Sequence, residues 1–97
     1  METLKYEYPA SEPVSRRVHV GVVGSGDLEV LMEPLDGERA QVVVNTSVDG
    51  FGTIWKTVVD RFFTRFHCRV AIEINDFGAT PGVVLLRLEQ AAEETRQ

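Results

Sequence analysis

Cysteine is almost missing from this chain of 97 residues, which holds one, Cys68, beside two histidines. A lone cysteine closes no internal disulfide, and these three residues do not have the spacing of a zinc site, so neither a staple nor a metal is expected. That usage points to a reducing compartment, and the expected location is cytoplasmic. Long apolar runs are missing too: no stretch approaches the roughly twenty residues of a membrane span. The opening Met1 to Tyr6 shows no positive region followed by an apolar signal core, so no membrane partner and no secretory leader are expected. Basic clusters are also lacking. Ten Lys and Arg against fifteen Asp and Glu leave a formal charge of −5, which argues against nucleic acid as a partner and favours solubility or docking on basic surfaces. The length suits one domain, residues 1–97, with little space for a buried active site. A carrier, binding or regulatory protein is the expected class, without catalytic residues of its own.

What the chain does have is alternation. Thr3 to Tyr8 alternates in polarity and ends at Pro9, which predicts an edge strand. Arg16 to Val23 and Leu28 to Met32 read as two strands joined through Gly24-Ser25-Gly26, and Pro34-Leu35-Asp36-Gly37 closes the second in a turn. Gln41 to Val48 is rich in β-branched residues and is expected to complete an antiparallel meander with the preceding two strands. From Gly52 to Phe66 the period changes to three and four, with Ile54, Trp55, Val58, Val59, Phe62, Phe63 and Phe66 on one face; this predicts a helix whose aromatic stripe is core. Val70 to Asn75 reads as another strand. Thr80-Pro81 has the form of an N-cap and first helical residue, predicting a second helix in preference to a strand over residues 83–88. The sum is an α+β fold: an antiparallel or mixed sheet of four to five strands with two helices packed on one face, not a four-helix bundle.

The chemistry centres on Ser25. Gly24 and Gly26 can take positive φ and permit close approach, so the hydroxyl is expected at an exposed hairpin tip, either as a handle for an attached or bound group or as part of an ordinary tight turn. Asp27 and Glu29 follow it and Asp76 precedes the second glycine break; carboxylates beside an exposed hydroxyl would orient a modifying enzyme, receive its proton or solvate the turn. His19 lies six residues upstream of Ser25 with no third group to complete a nucleophile-and-base arrangement. Cys68 follows the aromatic helix, at the wrong end for an activated thiol, and is expected to be partly buried. A rival to attachment is a non-covalent phosphate-binding or protein-binding module offering the backbone N–H groups of Gly24-Ser25-Gly26.

Three stretches together carry a family resemblance: Gly24-Ser25-Gly26-Asp27-Leu28-Glu29-Val30-Leu31-Met32-Glu33-Pro34, Thr46-Ser47-Val48-Asp49-Gly50, and Asp76-Phe77-Gly78-Ala79-Thr80-Pro81-Gly82-Val83-Val84 with Arg87-Leu88-Glu89-Gln90-Ala91. In order and spacing the chain resembles the acyl carrier protein (delta) subunit of bacterial malonate decarboxylase. The related citrate lyase carrier has a similar serine stretch but would not be expected to show the Asp76 to Gly82 segment. The resemblance implies a non-enzymatic swinging arm. It implies that Ser25 bears 2′-(5″-phosphoribosyl)-3′-dephospho-coenzyme A through a phosphodiester, with Gly24, Gly26 and Asp27 as the supporting turn. The implied partners are a prosthetic-group transferase, a malonyl transacylase, and the acyltransferase and decarboxylase subunits of the complex, with the arm's thiol carrying acetyl or malonyl.

Overall fold

A computed structural model describes residues 1–21 and 28–96. In chain order the elements are β1 (Glu2–Pro9), β2 (Val18–Val20), β3 (Leu28–Pro34), β4 (Arg39–Thr46), α1 (Gly52–Phe63), β5 (Val70–Asp76) and α2 (Pro81–Glu94). The strands form one five-stranded mixed sheet in the order β1-β4-β5-β3-β2. β1 is an edge strand, as its terminal proline suggested. β2 and β3 pair antiparallel, Val18 with Met32 and Val20 with Val30, so the stem of the expected hairpin is present.

The antiparallel meander is not. β4 pairs with β1 on one side and runs parallel to β5 on the other, while β5 separates β4 from β3. Parallel neighbours need a crossover, and α1 is the connection that supplies it between β4 and β5. Alternation had settled which face each strand buries but not which strand lies beside it. Of the expected second strand, the described residues form β2 over Val18–Val20, and Val22 and Val23 lie outside them.

One face of the sheet is covered. Val30, Ile74 and Val44 lie side by side in register on β3, β5 and β4, as do Met32, Ile72 and Val42, and all six are buried under the helices. From α1 come Trp55, Val59, Phe62 and Phe63, with Phe66 just beyond its end; from α2 come Val84, Leu88, Ala91 and Ala92. Phe63 stacks on Tyr8 with ring centroids 4.3 Å apart, and Phe62 and Phe66 stack at 4.8 Å, so the aromatic stripe is core. Burying each of these rings contributes about 1.5 to 3 kcal/mol, the largest share any residue type can give a domain of this size. α1 stops at Phe63 rather than continuing to Phe66, because Thr64 Oγ1 and the Thr64 N–H both turn back onto the Arg61 carbonyl. α2 begins at the expected cap, with Thr80 Oγ1 accepting from the Val83 N–H. Residues 83–88 are therefore helical.

No helix among the described residues is long and apolar enough to cross a membrane.

Candidate functional site

Ser25 and its neighbours Gly24, Gly26 and Asp27 lie outside the described residues, and what the structure describes is the stem that carries them. The chain leaves β2 at Gly21 and re-enters the sheet at Leu28, the first residue of β3. Three peptide units join Ser25 to Leu28, which limits the separation of their Cα atoms to at most about 11 Å.

Gly21 is the stem's most constrained residue. Its φ is +99°, and a Cβ placed there would collide with the Leu28 carbonyl oxygen and approach the Glu29 Cα to 3.0 Å. Only glycine lets the two chains approach this closely at the base of the segment. Sequence reasoning concentrated on Gly24 and Gly26 and passed over this one; a lone glycine interrupting a valine-rich strand was the available signal, since it marks a bulge or a close backbone approach.

Leu28 lies opposite Asp76 on β5, and Asp76 lies beside Thr46 on β4. Hence the segment holding Ser25, the one following Thr46 and the one following Asp76 all leave the sheet at the same end. These are the three stretches singled out in the sequence. Both helices also begin there, so the positive ends of their dipoles face this end of the molecule.

Asp76 does not solvate the turn. It is buried; one carboxylate oxygen accepts from the Thr46 hydroxyl at 2.8 Å and the other from the Gly78 and Ala79 N–H groups at 3.2 and 2.9 Å. It thereby ties β4 to β5 and shapes the glycine turn that leads into α2. Between the first turns of the two helices lies a cleft of about 240 Å³ lined by Phe51, Ile54, Trp55, Val58, Ala79 and Val84, with Thr46 and Asp76 also reaching it. Ile54, expected in the core, is exposed at its rim.

The second face of the sheet carries polar side chains in a row, one from each strand. Thr3 donates to Asn45 at 3.2 Å, Asn45 to Asn75 at 2.9 Å, and Asn75 to Glu29 at 2.8 Å; Glu29 in turn holds His19 Nε2 at 2.8 Å. Glu29 therefore points across the sheet, with a side chain only 13% exposed, and braces the stem strand β2 against β3 and β5. His19 is an ordinary strand residue engaged by that carboxylate. Cys68 is half-buried beside Glu12, 3.9 Å from its carboxylate, and burial followed by that negative charge pushes its thiol pKa up. This is the opposite of what an acyl-accepting cysteine needs. Among the described residues, no group of three His, Cys, Asp or Glu side chains is placed to hold a metal ion.

A sequence profile of the family described as malonate decarboxylase delta subunit (MdcD) matches residues 15–95. The chain belongs to that family. Its similarity to curated delta-family members runs nearly end to end. It is 52% identical over 95 residues to the malonate decarboxylase acyl carrier protein of Azotobacter vinelandii (strain DJ), covering 97% of this chain and 96% of that one. It is 54% identical over the same coverage to the protein of that name from Pseudomonas aeruginosa (strain UCBPP-PA14). The fold of this delta-family chain is similar to one in the crystal structure of a Pseudomonas malonate decarboxylase hetero-tetramer in complex with malonate. The TM-score is 0.91 at 50% identity, covering 98% of this chain and 99% of the other.

Proposed function

We propose that this chain is the non-catalytic acyl carrier subunit of a malonate decarboxylase and that Ser25 is the attachment point of its prosthetic group. The observation that carries the reading is the convergence of three family-matching segments at one end of the sheet, around a stem whose two strands enclose Ser25. An attached group needs an anchor that projects from a rigid base. Gly21 and the Glu29 to His19 and Asn75 contacts supply the base, and the resemblance implies Gly24, Gly26 and Asp27 as the supporting turn. The group that the resemblance implies, phosphoribosyl-dephospho-coenzyme A, fits this end of the fold: two helix N-termini favour a nearby phosphodiester, and the cleft between them offers apolar contact. When bound, the group supplies a thiol on a long arm able to carry acetyl or malonyl between the active sites of larger subunits. The chain's own residues hold and aim the anchor and perform no bond chemistry. A malonyl transacylase, the acyltransferase and decarboxylase subunits, and the prosthetic-group transferase are the partners in this reading, in the cytoplasm.

The test is intact mass after incubation with the prosthetic-group transferase and its triphosphoribosyl precursor. Wild type gains one fixed increment on the Ser25 peptide; Ser25→Ala gains none while its melting temperature stays close to wild type, because a hydroxyl at the exposed turn expected from the sequence contributes within about ±0.5 kcal/mol. Labelling of the alanine variant at the wild-type level refutes the assignment.

A further inference from the structure

The cleft between the helix N-termini has a location that its lining alone does not explain. Among the described residues six large apolar side chains are exposed, and Val48, Phe51, Ile54 and Phe77 are four of them, all at the end of the sheet where the Ser25 segment leaves. Concentrated apolar exposure of this kind marks a binding surface rather than chance. The surface is concave, at about 240 Å³, a shape suited to a narrow chain more than to the face of a protein.

Its distance from the anchor is short. Thr46, which reaches the cleft, lies two strands from Leu28, or about 10 Å at ordinary strand spacing. Ser25 is at most about 11 Å of chain from Leu28. We infer that this cleft is a resting site for the acylated end of the arm carried on Ser25 of the same chain, with Ile54 and Phe51 at its mouth and Trp55, Val58 and Val84 within. This rests on the attachment proposed above.

Tethering makes a weak site sufficient. A group linked to the same molecule is present at an effective concentration of order millimolar, so contacts too feeble to retain a free ligand still hold the arm for part of the time. A weak site also suits a carrier, which must release the arm to each partner. The apolar lining favours the acyl end over the charged nucleotide end, so the acetylated arm occupies the cleft more than the free thiol does.

Trp55 is the only tryptophan and lines the cleft, which provides an internal reporter. The experiment compares unmodified, modified and acetylated protein, each verified by mass, through Trp55 fluorescence and the methyl signals of Ile54, Val58, Ala79 and Val84. Acetylation is expected to shift these signals, and Ile54→Asp, at an exposed position, is expected to abolish the shifts without reducing the mass increment. Phe51→Ser, also at an exposed position, serves as a second variant if the first does not fold. Protein modified and acetylated by mass yet unchanged at these methyls overturns the inference and leaves attachment intact. So does a shift confined to the helix-free face, or a cleft that responds only when the larger subunits are added, which would assign the surface to a protein partner. Absence of any mass increment on Ser25 overturns both.

Discussion

Replacing Gly21 by alanine tests whether the base of the Ser25 segment is as constrained as its geometry says. Two costs add. At φ +99° a residue with a Cβ is strained by about 1 to 3 kcal/mol. The new methyl also meets the Leu28 carbonyl oxygen and lies 3.0 Å from the Glu29 Cα and 3.2 Å from the Leu28 carbonyl carbon, all backbone. None of these can swing aside as a side chain would, so β2 must shift away from β3 at an overpacking cost of about 1 to 3 kcal/mol. The total, about 2 to 6 kcal/mol, is a large share of the roughly 5 to 15 kcal/mol that holds such a domain folded.

Gly37→Ala is the control. Its φ is +105°, nearly the same, but nothing lies within 4 Å of the added Cβ, so it incurs the strain without the collision. Urea unfolding followed by Trp55 fluorescence measures both, since Trp55 is buried in the native state. Gly21→Ala is expected to lose more than Gly37→Ala by about 1 to 3 kcal/mol, with a melting temperature lower by a further 4 °C or more at about 4 to 8 °C per kcal/mol. If the two variants agree within about 0.5 kcal/mol, the close approach of Gly21 to Leu28 is not a real constraint and the rigid-stem argument fails.

Asp76→Ala should destabilise by about 2 to 4 kcal/mol in the same unfolding assay, because it strands the two turn N–H groups that the carboxylate now satisfies and removes the Thr46 bond that ties β4 to β5, leaving that hydroxyl only its Val48 contacts. Cys68→Ser, once modified at Ser25, should load as much acetyl per molecule as wild type by mass; loss of loading would make Cys68 the carrier and refute the arm reading. Tyr8 donates to Asp60, and burial followed by that bond raises its pKa, while the bond from Tyr8 and then that from Lys56 lower the pKa of Asp60. The raised Tyr8 stabilises fully below the unfolded value near 10, a contribution lost as pH rises through the higher folded value. The lowered Asp60 stabilises above its unfolded value near 3.8, a contribution lost as pH falls through the lower folded value. Tyr8→Phe should therefore flatten the stability profile at the alkaline end and weaken it at the acid end; an unchanged alkaline slope would refute the Tyr8 share.

Much of the architecture was legible because the chain's period changes where its elements change. Apolar residues every second position over Val42, Val44, Ile72 and Ile74 could serve only a half-covered sheet, and the spacing of Trp55, Val59, Phe62 and Phe63 could serve only a helix on it. The Thr80-Pro81 cap settled the helix over residues 83–88 despite the β-branched pair Val83-Val84, because an oxygen that accepts from the Val83 N–H offsets their weak helix preference. Local signals did not reach the partners of Asp76, Glu29 or Gly21. Each owes its role to a residue across the sheet: Thr46, Asn75 and Leu28 respectively.

The misplaced strand shows why that matters for the site. In a meander of β2, β3 and β4, the segment after Asp76 has no fixed relation to the serine stem, since β5 would join wherever an edge was free. With β5 inserted between β3 and β4, Leu28, Asp76 and Thr46 become consecutive neighbours. The insertion follows from the crossover: α1 returns the chain to the end of the sheet where β4 began, so β5 must run parallel to β4, and antiparallel pairing to β3 fills its other edge. Three segments far apart in sequence thus depart from adjacent strands, and each strand spacing adds only about 4.8 Å between them. Had β5 joined the free edge of β1 instead, the strand ends would still share one end of the sheet, but Asp76 and the turn it shapes would stand several strand spacings from Leu28, and the helix that begins there would not close a cleft beside the Ser25 stem.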